Sequence, residues 1–286
     1  MKKIDLLLVS MLFCINVFGH GELHDRINLV SQELQLRPNL PELYVKRGGL
    51  FMDDGDYQNT ILDIEKAKSL AGEDYPPCMF LLAKMYFKLE TYDAALKEIN
   101  NFLATEDDHV LGLLTKAEIL IALDENEAAA KCYQQAIEKT TTLLPENFFD
   151  LINVQIANDQ LDNAFKNYQL AQLKFGNLLV FDLKAIEIAE LRNDYTSIHE
   201  ILDNIIDSQQ RKERWYYKKA EFFLKETKYE QSIEQLKFAK ESLLQLPYRI
   251  RITPAMQELS KNISDTEQNI KSLLNDSITT ENAFEN

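Results

Sequence analysis

Few residues of this 286-residue chain are of a type and spacing that could do chemistry. The four histidines are His20, His24, His109 and His199. "HGELH", residues 20–24, brings two of them together. If a leader is cleaved after Gly19, His20 becomes a new N-terminus. Its amine and imidazole, with His24 nearby, then offer the nitrogen ligands that copper or nickel accepts. A frayed end is the competing reading. The zinc-protease pattern is not met, because it needs His and Glu in direct succession on a helix, and here Gly21 follows the first His. His109 and His199 have no Cys or carboxylate array around them.

"DDGD" at 53–56 lacks the following Glu and the loop length of a calcium site and reads as a turn. There is no Gly-x-Ser-x-Gly, phosphate loop or Cys-x-x-Cys, and the many Asp and Glu residues are spread along the chain as solvated faces. No catalytic residue and no cofactor is expected. "RKERWYYKK", 211–219, is the one basic-aromatic run. Its Trp215 and Tyr216 read as packing residues flanked by solvated charge, or else as a docking patch for an acidic partner. Cys78 and Cys132 fall in apolar stretches, as two separate small core residues.

The net charge of -15 argues against nucleic acid, which needs a basic face to displace counterions from phosphates. An apolar content of 45% allows a sizeable core, and only 8 Gly and 7 Pro favour helix throughout. The first residues carry Lys2 and Lys3, an apolar run from Leu6 to Phe13, and Val17 and Gly19 in the spacing that a signal peptidase accepts. Residues 1–19 are therefore expected to be a signal peptide, placing the chain outside the cytoplasm, in a bacterial periplasm or cell envelope. The run is too short for a stable membrane span, which takes roughly 20 apolar residues.

The elements that must position any site are set by a period. Tyr57, Tyr92, Asn126, Leu161, Tyr195 and Tyr229 lie 34 or 35 residues apart. Three residues after each anchor stand Thr60, Ala95, Ala129, Ala164, Ile198 and Ser232, mostly small. Nine before stand Gly48, Ala83, Ala117, Ile152, Ile186 and Ala220, again mostly small, and seven after stand bulky residues such as Ile64, Ile99 and Tyr133. Offsets of 3, 4 and 7 put these columns on helix faces, so each unit reads as two amphipathic helices joined at a turn, a small face receiving a bulky one. Pro38, Pro41, Pro76, Pro77 and Pro145 lie between units, where one helix ends and the next begins.

"FLLAKMYFKLETYDAALKEINNFL" carries Ala83, Tyr86, Tyr92, Ala95 and Ile99 in these columns and resembles the tetratricopeptide repeat, a 34-residue helix-turn-helix. The resemblance covers 41–244 as six units, about 41–74, 76–109, 110–143, 145–178, 179–212 and 213–246. Units four and five depart from it at Ile152, Ile186 and Gln155. It implies an all-α, right-handed superhelical solenoid of antiparallel helix pairs. The expected caps are a half-repeat at 20–40 and a helix over 254–275, striped by Met256, Leu259, Ile263, Ile270 and Leu274, with a disordered tail over 276–286.

The resemblance also implies a concave groove lined by first helices. Its residues would be those twelve, eight and five before each anchor: Val45, Gly49 and Met52; Phe80, Lys84 and Phe87; Leu114, Glu118 and Ile121; Phe149, Asn153 and Ile156; Leu183, Glu187 and Glu190; Tyr217, Glu221 and Leu224. Such a groove takes an extended peptide or a partner helix. The family's Lys/Asn clamp for a terminal carboxylate is not matched, since the first unit has Val45 and Gly49 there. The functional expectation is a non-catalytic scaffold that binds a protein or peptide. The alternative is a copper- or nickel-handling accessory protein using His20 and His24.

Overall fold

The computed structural model describes residues 21–140, 142 and 144–284, and among them there is helix but no strand. The chain divides into two compact units, 1–158 and 159–286. Unit 1 contains α1 (21–36), α2 (Pro41–Asp54), α3 (Tyr57–Ala71), α4 (Pro76–Lys88), α5 (Tyr92–Thr105), α6 (Val110–Ala122), α7 (Asn126–Lys139) and α8 (Pro145–Ala157). Unit 2 contains α9 (Leu161–Phe175), α10 (Leu179–Leu191), α11 (Tyr195–Ser208), α12 (Glu213–Lys225), α13 (Tyr229–Gln245), the single turn α14 (Tyr248–Arg251) and α15 (Pro254–Phe284).

Each of the six anchors is the first residue of a helix, opening α3, α5, α7, α9, α11 and α13. Two residues before each anchor the backbone turns left-handed, at Gly55, Glu90, Asp124, Asp159, Asn193 and Thr227, with φ between 55° and 82°. The turns α2–α3, α4–α5, α6–α7, α10–α11 and α12–α13 then share one bond. The amide after the left-handed residue donates to the carbonyl six before the anchor, as Asp56→Phe51, Thr91→Tyr86, Glu125→Leu120, Asp194→Ala189 and Lys228→Phe223, at 2.8–2.9 Å. This is the six-to-one closure of a helix end, which satisfies a terminal carbonyl and reverses the chain. Asp56 and Asp194 also cap the following helix, accepting from the amides of Asn59 and Ser197 at 3.1 Å.

The small columns are where helices touch. Thr60, Ala95, Ala129, Ala164, Ile198 and Ser232 are all fully buried. Where the residue has a hydroxyl, it bonds across to the partner column: Thr60 Oγ1 donates to the Gly48 carbonyl at 3.1 Å and Ser232 Oγ to that of Ala220 at 2.8 Å. A Cβ on Gly48 would stand 3.2 Å from Leu81 Cδ2 and 3.3 Å from Asp63 Cβ, so this crossing has little room for a side chain. Ile152 and Ile186, the bulky departures, are buried all the same.

In unit 1, α1 buries Ile27, Val30 and Leu34 with Leu43 and Leu50 of α2. Arg47 ties three helices, donating to Asp63 at 2.6 and 2.8 Å and to Ser31 at 3.2 Å. Cys78 and Cys132 are both buried and free. In unit 2, α15 lays Met256, Leu259, Ile263 and Ile270 against Ala220, Leu236, Ala239 and Leu243. The helix continues to Phe284 rather than ending near 275. No Pro or Gly follows Pro254 to stop it. No helix among the described residues is long and apolar enough to cross a membrane.

Candidate functional site

An apolar opening of unit 1 lies around α4, a groove of about 530 Å³ lined by Val45, Tyr75, Pro76, Pro77, Phe80, Leu81, Lys84, Phe102, Glu106 and His109. Three sequence-predicted residues, Val45 on α2 and Phe80 and Lys84 on α4, meet here. Prolines open α4, so its first turn presents rings rather than amide donors to the groove wall. The floor is aromatic. Phe80 stacks on Phe102 with centroids 5.0 Å apart, and the His109 ring meets both edge-on, at 5.4 and 4.9 Å.

His109 is held by its position as cap of α6: its Nδ1 accepts the Gly112 amide at 3.0 Å, which puts the proton of the neutral ring on Nε2. Lys84 Nζ stands 5.9 Å from the Phe80 centroid, with its side chain exposed. Among the described residues neither Lys84 nor Glu106 has an ion-pair partner.

Tyr75, Phe102, Glu106 and His109 were not legible as site residues. One signal stands in the columns, where ten after the anchor Phe102 replaces the Ala of units one, three, four and six. Its ring takes the space left by Gly112, whose added Cβ would lie 2.8 Å from Phe102 Cε1 and 3.0 Å from Leu103 Cδ2. A bulky residue paired with a glycine one helix later marks this groove.

The other predicted residues divide. Phe87 leans on Tyr92, centroids 5.8 Å apart, and Leu114, Phe149, Asn153 and Ile156 are half-buried. Gly49 is half-buried and Ile121 exposed. Met52 is only 2% exposed and belongs to the core rather than to the groove, because it packs in one cluster with Ile64 of α3 and Leu81 and Met85 of α4. In unit 2, Leu183 and Glu187 are exposed, and Glu190 pairs with Lys225. Glu221 is exposed and Tyr217 and Leu224 are half-buried. The apolar stripe of α15 packs against Tyr217 and Leu224, and Tyr217 Oη meets Thr266 Oγ1 at 3.3 Å. Tyr217 and Glu221 nonetheless line a cleft between α12 and α15, together with the half-buried Trp215, Arg214, Lys218 and Leu259.

Further along the predicted rows of unit 1, Glu118 on α6 and Asp150 on α8 flank Tyr133 of α7. The Glu118 carboxyl reaches solvent, yet the surrounding walls hold it above its ordinary value, first by desolvation and then by the Asp150 charge, with Lys84 pulling the other way. Asp150 is raised by desolvation and then by Glu146. The Tyr133 hydroxyl is pushed up by burial, then by both carboxylates. Among the described residues Glu118 and Asp150 make no ion pair.

Of the metal candidates, His24 lies on α1, 3.7 Å from an Asp54 carboxylate oxygen, and His20 lies outside the described residues. His199 meets Glu226 at 2.6 Å and stacks on Phe223 with centroids 3.8 Å apart. Among the described residues no three His, Cys, Asp or Glu side chains are grouped to hold a metal ion.

No protein-family model matches the chain, and no curated protein is similar to it in sequence. Solved structures resemble it in fold. The C-terminal part of a TPR repeat-containing protein from Cytophaga hutchinsonii is 16% identical with a TM-score of 0.54, over 88% of this chain and 93% of that one. A tetratricopeptide repeat protein from Parabacteroides merdae is 12% identical with a TM-score of 0.48, over 87% and 95%. PilF of Pseudomonas aeruginosa is 16% identical with a TM-score of 0.48, over 77% and 96%. The Cytophaga likeness, like the repeated turn and columns, is one of fold: this chain is built as tetratricopeptide-repeat proteins are, from successive helix-turn-helix units.

Proposed function

We propose that the protein is a non-catalytic docking scaffold and that a protein or peptide segment binds in the α4 groove of unit 1. The observation that carries this reading is the groove itself. It is an aromatic-floored concavity on a helix face that the array leaves unpaired, with one unpaired cation and one unpaired anion at its rim. Side chains so placed give a segment an apolar anchor and a fixed direction. The test is a photo-crosslinking residue at position 84, where the native Lys84 is exposed, compared with one at Leu62, exposed on the far helix α3. Crosslinks to a protein partner are expected at position 84 and not at 62, and they are expected to vanish when Phe80→Ser is added. Equal crosslinking at both positions would mean that the groove is not the site.

We infer further that residues 1–19 export the chain to a bacterial periplasm or envelope. The support is the Lys2-Lys3 start, the apolar run and the Val17/Gly19 spacing. N-terminal sequencing of the protein from fractionated cells is expected to begin at His20; a cytoplasmic chain beginning at Met1 would end this reading. A copper- or nickel-handling role would rest on His20 with His24, and titration of a chain beginning at His20, with His24→Ala as control, tests it directly.

A further inference from the structure

The groove reading leaves open what kind of segment would sit there, and the charges around it decide between an acidic and a basic one. Residues 21–158 hold 24 Asp and Glu against 12 Lys and Arg. The potential over this unit is therefore negative, and it raises the encounter rate and residence of cations. Along the groove rows the charged residues are Lys84 and Glu118, with Asp150 beside the latter. Lys84 lies at the pocket and reaches Glu118 electrostatically, and Glu118 in turn reaches Asp150, so the three form a series running away from the Phe80 pocket. The two carboxylates at its far end have no cation of this chain paired to them among the described residues.

Resting on the groove reading, we propose that the occupant is a cationic segment: an apolar or aromatic side chain seated against Phe80 and Phe102, and a Lys or Arg further along paired with Glu118 and Asp150. Both carboxylates sit where water is partly excluded, and an incoming guanidinium or ammonium offsets their desolvation and the repulsion that Asp150 exerts on Glu118. Lys84 stands between anchor and carboxylates, so it disfavours a base immediately after the anchor and spaces the two features. Neighbouring first helices lie about 8–10 Å apart. An extended chain advances about 3.3 Å per residue, so the base falls roughly three residues from the anchor.

The probes are fluorescein-labelled ten-residue peptides, read by polarisation against the full-length chain. One carries Phe with Arg-Arg starting three residues later, a second has Glu-Glu there, and a third keeps Arg-Arg but replaces Phe by Ser. The Phe/Arg peptide is expected to bind at least tenfold more tightly than the Phe/Glu peptide, with the gap narrowing as salt is raised. In Glu118→Gln combined with Asp150→Asn, that gap is expected to fall below threefold while the preference for Phe over Ser persists. These near-isosteric changes remove desolvated charge, so the variant is expected to melt no lower than the parent.

If Phe/Glu binds as tightly as Phe/Arg, or more tightly, the cationic assignment is overturned while the groove stands. A gap that survives the double substitution sinks it as well, by placing the selectivity elsewhere. If no peptide distinguishes Phe from Ser, the groove reading fails, and the assignment goes with it.

Discussion

Thr227 holds φ at 60°, in the left-handed region where a β-branched side chain crowds the following carbonyl. The same turn position is Gly55 in the first unit and Asn or Asp in three others, residues that take this conformation at lower cost. Thr227→Gly is expected to raise stability by about 0.5–1 kcal/mol, the left-handed penalty of about 1–2 less the extra chain entropy of glycine. A rise in urea midpoint without change of slope checks it. Arg47 and Asp63 make the opposite case. Asp63 is 3% exposed, and its one ion-pair partner among the described residues is the two-pronged guanidinium of Arg47. Arg47→Ala would strand that carboxylate and is expected to cost about 3 kcal/mol in chemical denaturation; Arg47→Ala with Asp63→Ala is expected to lose less than the single change.

At the scale of elements, α5 and α6 are fitted by one exchange of volume, Phe102 against Gly112. Adding a methyl at 112 places carbon 2.8 Å from Phe102 Cε1, so the ring or the helix must move. Gly112→Ala is expected to destabilise by about 1–3 kcal/mol, the usual range for overpacking, and Phe102→Leu in the same chain to recover part of it. Because Phe102 also floors the groove, Gly112→Ala is expected to weaken binding there as well, a link that a polarisation titration reads. The columns around Tyr92, Ala95 and Ile99 make the α4–α5 pair legible from sequence, since small and bulky faces recur at one period. The groove beside it was legible only in part. Val45, Phe80 and Lys84 follow from register on a first helix. Tyr75, Glu106 and His109 sit at helix ends, where position depends on how the next unit docks.

For the whole molecule, acidic groups pull stability in two directions with pH. Asp56 and Asp194 are held below the ordinary carboxylate range by Asn59 and Ser197. Such caps contribute stability above an unfolded value of about 4 and lose it as pH falls through the lower folded value. Glu118, Asp150 and Asp182 are raised, each first by desolvation, so the folded chain binds their protons more tightly than the unfolded one. Stability is therefore expected to rise as pH falls from neutral toward the ordinary carboxylate range and to drop once pH passes below that range. Melting temperature against pH checks this, and Glu118→Gln with Asp150→Asn is expected to flatten the rising limb while leaving the acid drop in place.

What the sequence determined by itself was everything that repeats. The 34-residue period, the helix starts at the six anchors and the small crossing columns are local or nearest-neighbour properties, written once per unit and fixed by helix periodicity and volume. Even the turn is local: in five of the six units the amide after the left-handed residue closes the helix, over side chains as different as Gly55, Glu90 and Thr227. What only the tertiary structure decided was which predicted positions face solvent. Met52 sank into the core, and Leu224 was packed against α15 while Tyr217 kept a side on the α12–α15 cleft, because burial depends on what the neighbouring helix brings to that spot. Phe80 and Lys84 stayed accessible in a groove floored by Phe102 and His109. That contrast follows from packing among non-adjacent helices, which a repeat pattern constrains only on average.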